Sequence, residues 1–271
     1  MSGYKIKPWE ELTITDDYMF KLVMRHKRFC KRLIEKILNI RIKDIHYLEE
    51  EKSFKFKYDS KGIRLDVYVE GDDTIYDIEM QVLDYGDQEL AYRSRYYQSM
   101  IDMDSLARGA LYKELRPSII IFLCPFALFD KERHIYTFRN VCREDKTLEL
   151  HDGATKIFLS SQGKANDVAP DVKAFLDYMN GLPAADDFIK EIDDCITETK
   201  TNHEERVSYI TYEMKMREAH DDGRAEGRAE GERKNQEQTA LDMLRDNMDI
   251  QLIMKYTHLS AERIAELAKT L

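Results

Sequence analysis

The chain has 271 residues, of which 43% are hydrophobic and 35% charged, and its 42 basic and 52 acidic side chains leave a net charge of −10. That composition excludes a disordered or fibrous chain and gives enough apolar material for one large core or two modest ones. The longest apolar runs, such as 118–129, fall short of the roughly 20 residues a membrane-spanning helix needs, and taken whole the charge argues against a polyanion as partner. Asp16 and Asp17, followed by Tyr18, Phe20, Leu22, Val23, Leu33, Ile34, Ile37 and Leu38, predict one long amphipathic helix with the aspartates at its start. Ile42, Ile45 and Tyr47, then Phe54, Phe56 and Tyr58, predict one or two strands or edge segments. Residues 62–70 and 74–83 read as a hairpin around Gly71-Asp72-Asp73. Residues 86 to about 109 form a second long helix, with Leu90, Tyr97, Ile101 and Leu106 among its apolar positions. The continuous apolar run Ser118–Cys124 suits a strand covered on both faces. Residues 134–141 and 156–159 are shorter strand candidates. Helix, strands, helix, strands is the order of a mixed α/β core.

Beyond Pro170 the pattern is helical. Phe175, Leu176, Met179 and Leu182 form one amphipathic segment, closed by Asn180-Gly181 and Pro183. The charged stretch from about 187 to 234 carries a four-residue repeat beginning at Gly223, Gly227 and Gly231. Each interior glycine costs about 1 kcal/mol against alanine, so this predicts a marginal helix or helical linker. Residues 237–271 predict two or three short helices capped by Asp249 and Ser260. The expected divisions are 1–165, 166–236 and 237–271.

The charge is uneven. Residues 1–120 hold 21 Lys/Arg and 22 Asp/Glu, so the excess of acid lies almost entirely beyond residue 120. Within the first part, residues 21–36 hold seven basic side chains and one acid, Glu35. That run reads as a solvated helix face or as a surface that tracks phosphates. Cys30, Cys124, Cys142 and Cys195 are far apart with no Cys-x-x-Cys pair, which excludes a zinc knuckle and predicts reduced thiols. The first residues lack the apolar core of a secretory signal, so the expectation is a cytoplasmic protein.

The hairpin carries the chemistry. Alternation puts Arg64, Asp66, Tyr68 and Glu70 on one face of the first strand, and Asp77, Glu79 and Gln81 on the matching face of the second. A two-residue or a four-residue loop sets Asp66 opposite Glu79, with Cβ atoms about 4.5–5.5 Å apart. A three-residue loop sends them to opposite faces. Two carboxylates that close repel unless a cation lies between them or one keeps its proton. Hard cations such as Mg²⁺ take one or two carboxylates plus water and phosphate. Asp66, Glu79 and a backbone carbonyl near Met80 therefore make half of a Mg²⁺ site, with Gln81 on the same face to orient water or phosphate. The plainer reading is a hairpin whose polar side merely faces solvent.

Asp66, a short turn and Ile78-Glu79-Met80-Gln81 resemble the PD-(D/E)XK nuclease core in its D…E-x-Q variant, and more narrowly the recombination-promoting nuclease and transposase family of bacteria. Thr15-Asp16-Asp17-Tyr18-Met19-Phe20-Lys21 is similar to that family's N-terminal element, and the helix from Tyr92 to Gln98 to its basic aromatic helix. Tyr136 to Asn140 and the Gly-x-x-Glu repeats are similar too, so the resemblance covers about residue 10 to the end. It implies a restriction-endonuclease-like α/β core with a helical C-terminal extension, and Mg²⁺- or Mn²⁺-dependent hydrolysis of DNA. It makes Asp66 and Glu79 metal ligands and catalytic residues, with Gln81 where the superfamily usually has lysine. Gln81 supplies no positive charge, so a neighbouring cation, Arg64, Arg93 or Arg95, substitutes or the rate is low. Arg64, Arg93, Arg95 and Tyr96 are DNA-contact candidates; Tyr97 fits core packing. Asp17 and Lys21 are accessory candidates, Asp17 also fitting a helix cap. The C-terminal helices fit a DNA reader, a packing module or a homodimer contact.

Overall fold

The computed structural model describes residues 5–49, 53–54 and 63–271. Phe56, Tyr58 and Gly62, expected in strands, lie outside the described residues, as does the side chain of Arg64.

The first predicted helix is two helices, α1 (Asp17–Met24) and α2 (Lys27–Leu38). Between them His26 is extended, and its carbonyl accepts from the N–H groups of Phe29 (2.8 Å) and Cys30 (3.2 Å) to start the second helix. α1 is buried on nearly every side, Lys21 included, whereas α2 buries one stripe, Phe29, Cys30, Leu33, Ile34 and Ile37. The break leaves no trace in the periodicity. Met19, Val23, His26, Cys30, Leu33 and Ile37 keep helical spacing straight through it.

The strands are β1 (His46–Glu49), β2 (Ser53–Phe54), β3 (Ile63–Arg64), β4 (Val67–Gly71), β5 (Thr74–Met80), β6 (Ser118–Cys124), β7 (Ile135–Phe138) and β8 (Ala154–Ser160). Six form one mixed sheet in the order β1-β4-β5-β6-β8-β7, while β2 and β3 pair separately. β5, β6 and β8 run parallel at its centre, and antiparallel strands flank them. This is the mixed α/β core expected from the order of elements.

The hairpin of β4 and β5 closes on two residues. Gly71 pairs with Thr74, and Asp72 and Asp73 have φ of 48° and 67°. Positive φ at both central residues defines the type I′ turn, whose twist matches that of the strands. Val67 then faces Ile78, and the same register carries Asp66 opposite Glu79.

Helix α3 (Asp87–Ser105) crosses from β5 to its parallel neighbour β6. Its Leu90, Tyr97, Met100 and Ile101 pack with Tyr68, Ile75, Ile120, Phe122 and Phe158, so it covers the sheet face that carries the odd-numbered residues of β5. The hairpin's polar side is therefore not a solvent-facing surface. Asp77, Glu79 and Gln81 are all buried.

At the far edge, Lys164 and Ala165 donate their N–H groups to the Glu132 carbonyl, laying the chain after β8 across the start of β7. A Cβ on Gly163 would lie 2.6 Å from the Arg133 carbonyl carbon and the His134 nitrogen. Backbone cannot yield as a side-chain tip does. Gly163→Ala is expected to cost about 1–3 kcal/mol, measurable as a lower urea midpoint.

The remaining helices are α4 (Pro170–Met179), α5 (Asp187–Thr201), α6 (His203–Arg245), α7 (Ile250–Thr257) and α8 (Ala261–Ala268). The described residues fall into two compact units, Lys7–Arg206 and Val207–Leu271, the second with Lys5 and Ile6. α6 is continuous through the glycine repeat, and nothing lies within 4 Å of where Cβ atoms on Gly223, Gly227 and Gly231 would be. The second unit has its own core of Ala240, Ile253, Ile264 and Leu267. Asp249 and Ser260 cap α7 and α8 through side-chain acceptors, as predicted. Among the described residues no helix is long and apolar enough to cross a membrane.

Candidate active site

Asp66 stands just before β4, where the ladder stops. There the two strands exchange side chains for backbone. The Asp66 N–H donates to Glu79 Oε1 (2.9 Å), and the Met80 N–H donates to Asp66 Oδ2 (3.0 Å). Each carboxylate thus occupies the place of a missing carbonyl, which fixes both heads at the end of β5. Asp77 lies two residues before Glu79 on the same face, fully buried, and its carboxyl meets no donor other than the carboxyl of Glu79. Asp77 is a site residue beyond the expected pair Asp66 and Glu79. Its signal was the alternation itself, since residues 77, 79 and 81 share one side of a strand.

One cation at this cluster comes from α1. Lys21 Nζ lies 3.0 Å from Asp66 Oδ1, and 2.9 Å and 3.0 Å from the two oxygens of Asp17, one helical turn earlier. Asp17 is not the helix cap; the residue at that position is Asp16, whose carboxylate accepts from the Thr13 N–H (2.6 Å) and from Lys7. Asp17 and Lys21 are therefore brought to Asp66.

Gln81 is held from both ends. Its Oε1 accepts from an Arg93 guanidinium N–H and its Nε2 donates to the Leu83 carbonyl. Arg93 also donates through Nε (2.9 Å) and its second terminal nitrogen (2.8 Å) to the Tyr97 hydroxyl. Positive charge thus reaches the Gln81 position from α3 through a hydrogen bond. Tyr97 is buried as expected, and it also locks that arginine. Arg95 and Tyr96 lie on the exposed side of α3 and do not join the cluster.

Burial pushes all three carboxyls above the usual carboxylate range. For Asp66 the Glu79 and Asp17 charges add to burial, while Lys21 pulls the other way. For Asp77 the charge of Asp66 adds to burial, and for Glu79 that of Asp77. A raised acid contributes stability that is complete below the unfolded value, near 4, and is lost as pH rises through the folded value. In EDTA, wild type should therefore lose Tm relative to Glu79→Gln as pH rises above the ordinary carboxylate range. Equal slopes in the two melting series would contradict this.

A family model described as PD-(D/E)XK nuclease family transposase matches residues 14–162. The chain belongs to that family. No curated protein and no solved structure matches it. The match begins just before α1 and ends just after β8, so it takes in Asp17, Lys21, Asp66, Asp77, Glu79, Gln81 and Arg93.

PD-(D/E)XK nucleases typically use divalent metal ions, and the residues here fit one. The donors are all oxygen, as Mg²⁺ or Mn²⁺ prefers. Asp77 adds a buried carboxyl that no protein N–H satisfies. Among the described residues no three His, Cys, Asp or Glu side chains close into a cage. A cation held by Asp66 and Glu79 would thus take the rest of its shell from water, backbone carbonyl and substrate.

Proposed function

We propose that the protein is a Mg²⁺- or Mn²⁺-dependent DNA endonuclease that hydrolyses phosphodiester bonds. The observation that carries this reading is the buried group Asp66, Asp77 and Glu79, whose carboxyls crowd one another, with the Lys21 ammonium against Asp66. Uncompensated acids so placed are costly unless a cation is to be bound.

Asp66 and Glu79 are the metal ligands, and the Met80 carbonyl is the backbone candidate beside them. A bound divalent ion supplies a water of lowered pKa and offsets charge on the phosphoryl oxygens. The chain's own residues do the rest. Lys21, held by Asp17, presents a positive charge beside Asp66, the charge that Gln81 cannot carry. Arg93, fixed by Gln81 and Tyr97, brings a second to the end of β5 for a phosphate oxygen of the substrate. Gln81 acts by aiming Arg93.

Family membership supports action on recombining or mobile DNA, and free Cys30, Cys124, Cys142 and Cys195 suit a reducing cytoplasm. A homodimer through the C-terminal helices completes the reading; light scattering at twice the chain mass would support it. The test of activity is supercoiled plasmid with Mg²⁺ against EDTA, beside Asp66→Ala and Glu79→Ala. Nicking by wild type alone, and only with metal, is the expected result. Equal nicking by all three proteins, or none by any, removes the enzyme reading. Binding without cleavage would favour a DNA-binding protein on a nuclease fold.

A further inference from the structure

Helix α3 has a second side. Gln88, Tyr92, Arg95, Tyr96, Ser99 and Met103 recur at helical spacing and are all exposed. Tyr92 is 51% and Tyr96 36% accessible, and Tyr85 in the preceding loop is 61% accessible. The Arg95 guanidinium lies 5.4 Å from the centre of the Tyr92 ring. Arg93, between the two tyrosines in sequence, reaches back to Gln81 at the end of β5. The exposed aromatic row and the carboxylate cluster are thus carried on the two sides of one helix.

Charge says what this row is not. Residues 81–105 hold two arginines, Arg93 and Arg95, against Asp84, Asp87, Glu89, Asp102 and Asp104. Duplex binding draws on several Lys or Arg contacts to phosphate, on the order of 6–10 in strong cases. On the exposed face itself Arg95 is the one charged side chain, too little positive charge to follow a duplex backbone. Its rings can contribute only by stacking, and stacking needs a base whose face is uncovered. Inside a closed duplex both faces of each base are taken by its neighbours. Tyr92 and Tyr96 stand one helical turn apart, about 6 Å, and so can meet successive bases of one strand.

We infer that the α3 face bearing Tyr92, Arg95 and Tyr96 stacks unpaired DNA bases, so that the substrate is single-stranded or locally opened DNA rather than closed duplex. The inference rests on the proposed endonuclease reading for the choice of DNA as ligand. It adds the form of that DNA and the residues that select it.

The test is fluorescence anisotropy of the wild-type full chain in EDTA, with a labelled single-stranded oligonucleotide and the same oligonucleotide annealed as a blunt duplex. The single strand should bind at least about tenfold more tightly. Tyr92→Ala and Tyr96→Ala should each weaken single-strand binding by about tenfold and leave duplex binding nearly unchanged, while Tyr92→Phe and Tyr96→Phe keep wild-type affinity. Circular dichroism checks that each variant is folded. Duplex bound as tightly as single strand, alanine variants that bind like wild type, or binding of neither form overturns the inference. Selective single-strand binding by a protein that cuts nothing in Mg²⁺ removes the endonuclease reading and leaves this one standing.

Discussion

Asp66→Asn and Glu79→Gln are expected to lower Mg²⁺-dependent nicking of supercoiled plasmid by on the order of a thousandfold each, a scale set by the loss of metal-assisted charge stabilisation. The amide variants are the informative ones. Asn at position 66 still offers an oxygen to the Met80 N–H, and Gln at 79 still offers one to the Asp66 N–H. They keep the bonds that close the end of the hairpin and remove the charge, which in Asp66→Asn also takes the ion-pair partner of Lys21. Alanine removes both, so the Ala variants should lose activity together with thermal stability. Nicking by either amide variant within about threefold of wild type would place the chemistry elsewhere.

Lys21→Met should destabilise the protein by about 3–5 kcal/mol, the usual penalty for taking one partner from a buried ion pair. For a unit of this size that corresponds to a fall in Tm of about 10 °C. The sign follows from what stays behind: Asp17 and Asp66 would lose the ammonium they share, and Lys21 and Asp66 are each about nine-tenths covered. Adding Mg²⁺ should restore more of the Tm in Lys21→Met than it adds to wild type, because the ion would then supply the missing positive charge. Thermal unfolding followed by circular dichroism, with and without Mg²⁺, reads both effects. A Tm unchanged in Lys21→Met would mean that the ammonium contributes nothing to the cluster, and the charge assigned to it would have to come from Arg93 alone.

The hairpin was legible because two local rules agree. Alternation sorts the side chains onto faces, and a two-residue turn of Asp72 and Asp73 fixes which faces meet. Ser118–Cys124 was legible as a run with no polar gap, and Asp249 and Ser260 as caps. What local rules do not contain is which surface something else will cover. The polar side of β5 is buried because α3, some twenty residues further on, lies across it. Lys21 meets Asp66 across 45 positions of chain, and nothing in the periodicity of α1 marks that lysine as the one turned inward. The break at His26 was hidden for a related reason: the apolar stripe of one helix continues in phase into the next. Asp17 fits both a cap and a site residue by sequence, and Asp16 takes the cap position.

The fully buried carboxyl of Asp77 bears on how the protein would change under selection. A library of variants sorted only for survival at high temperature, without metal and near neutral pH, should accumulate Asp77→Asn and Glu79→Gln early. Each relieves a buried charge without changing side-chain volume appreciably. Stability alone would therefore erode this end of the sheet before any other part of the core. Keeping three ionisable groups there is what a chain does when selected for chemistry.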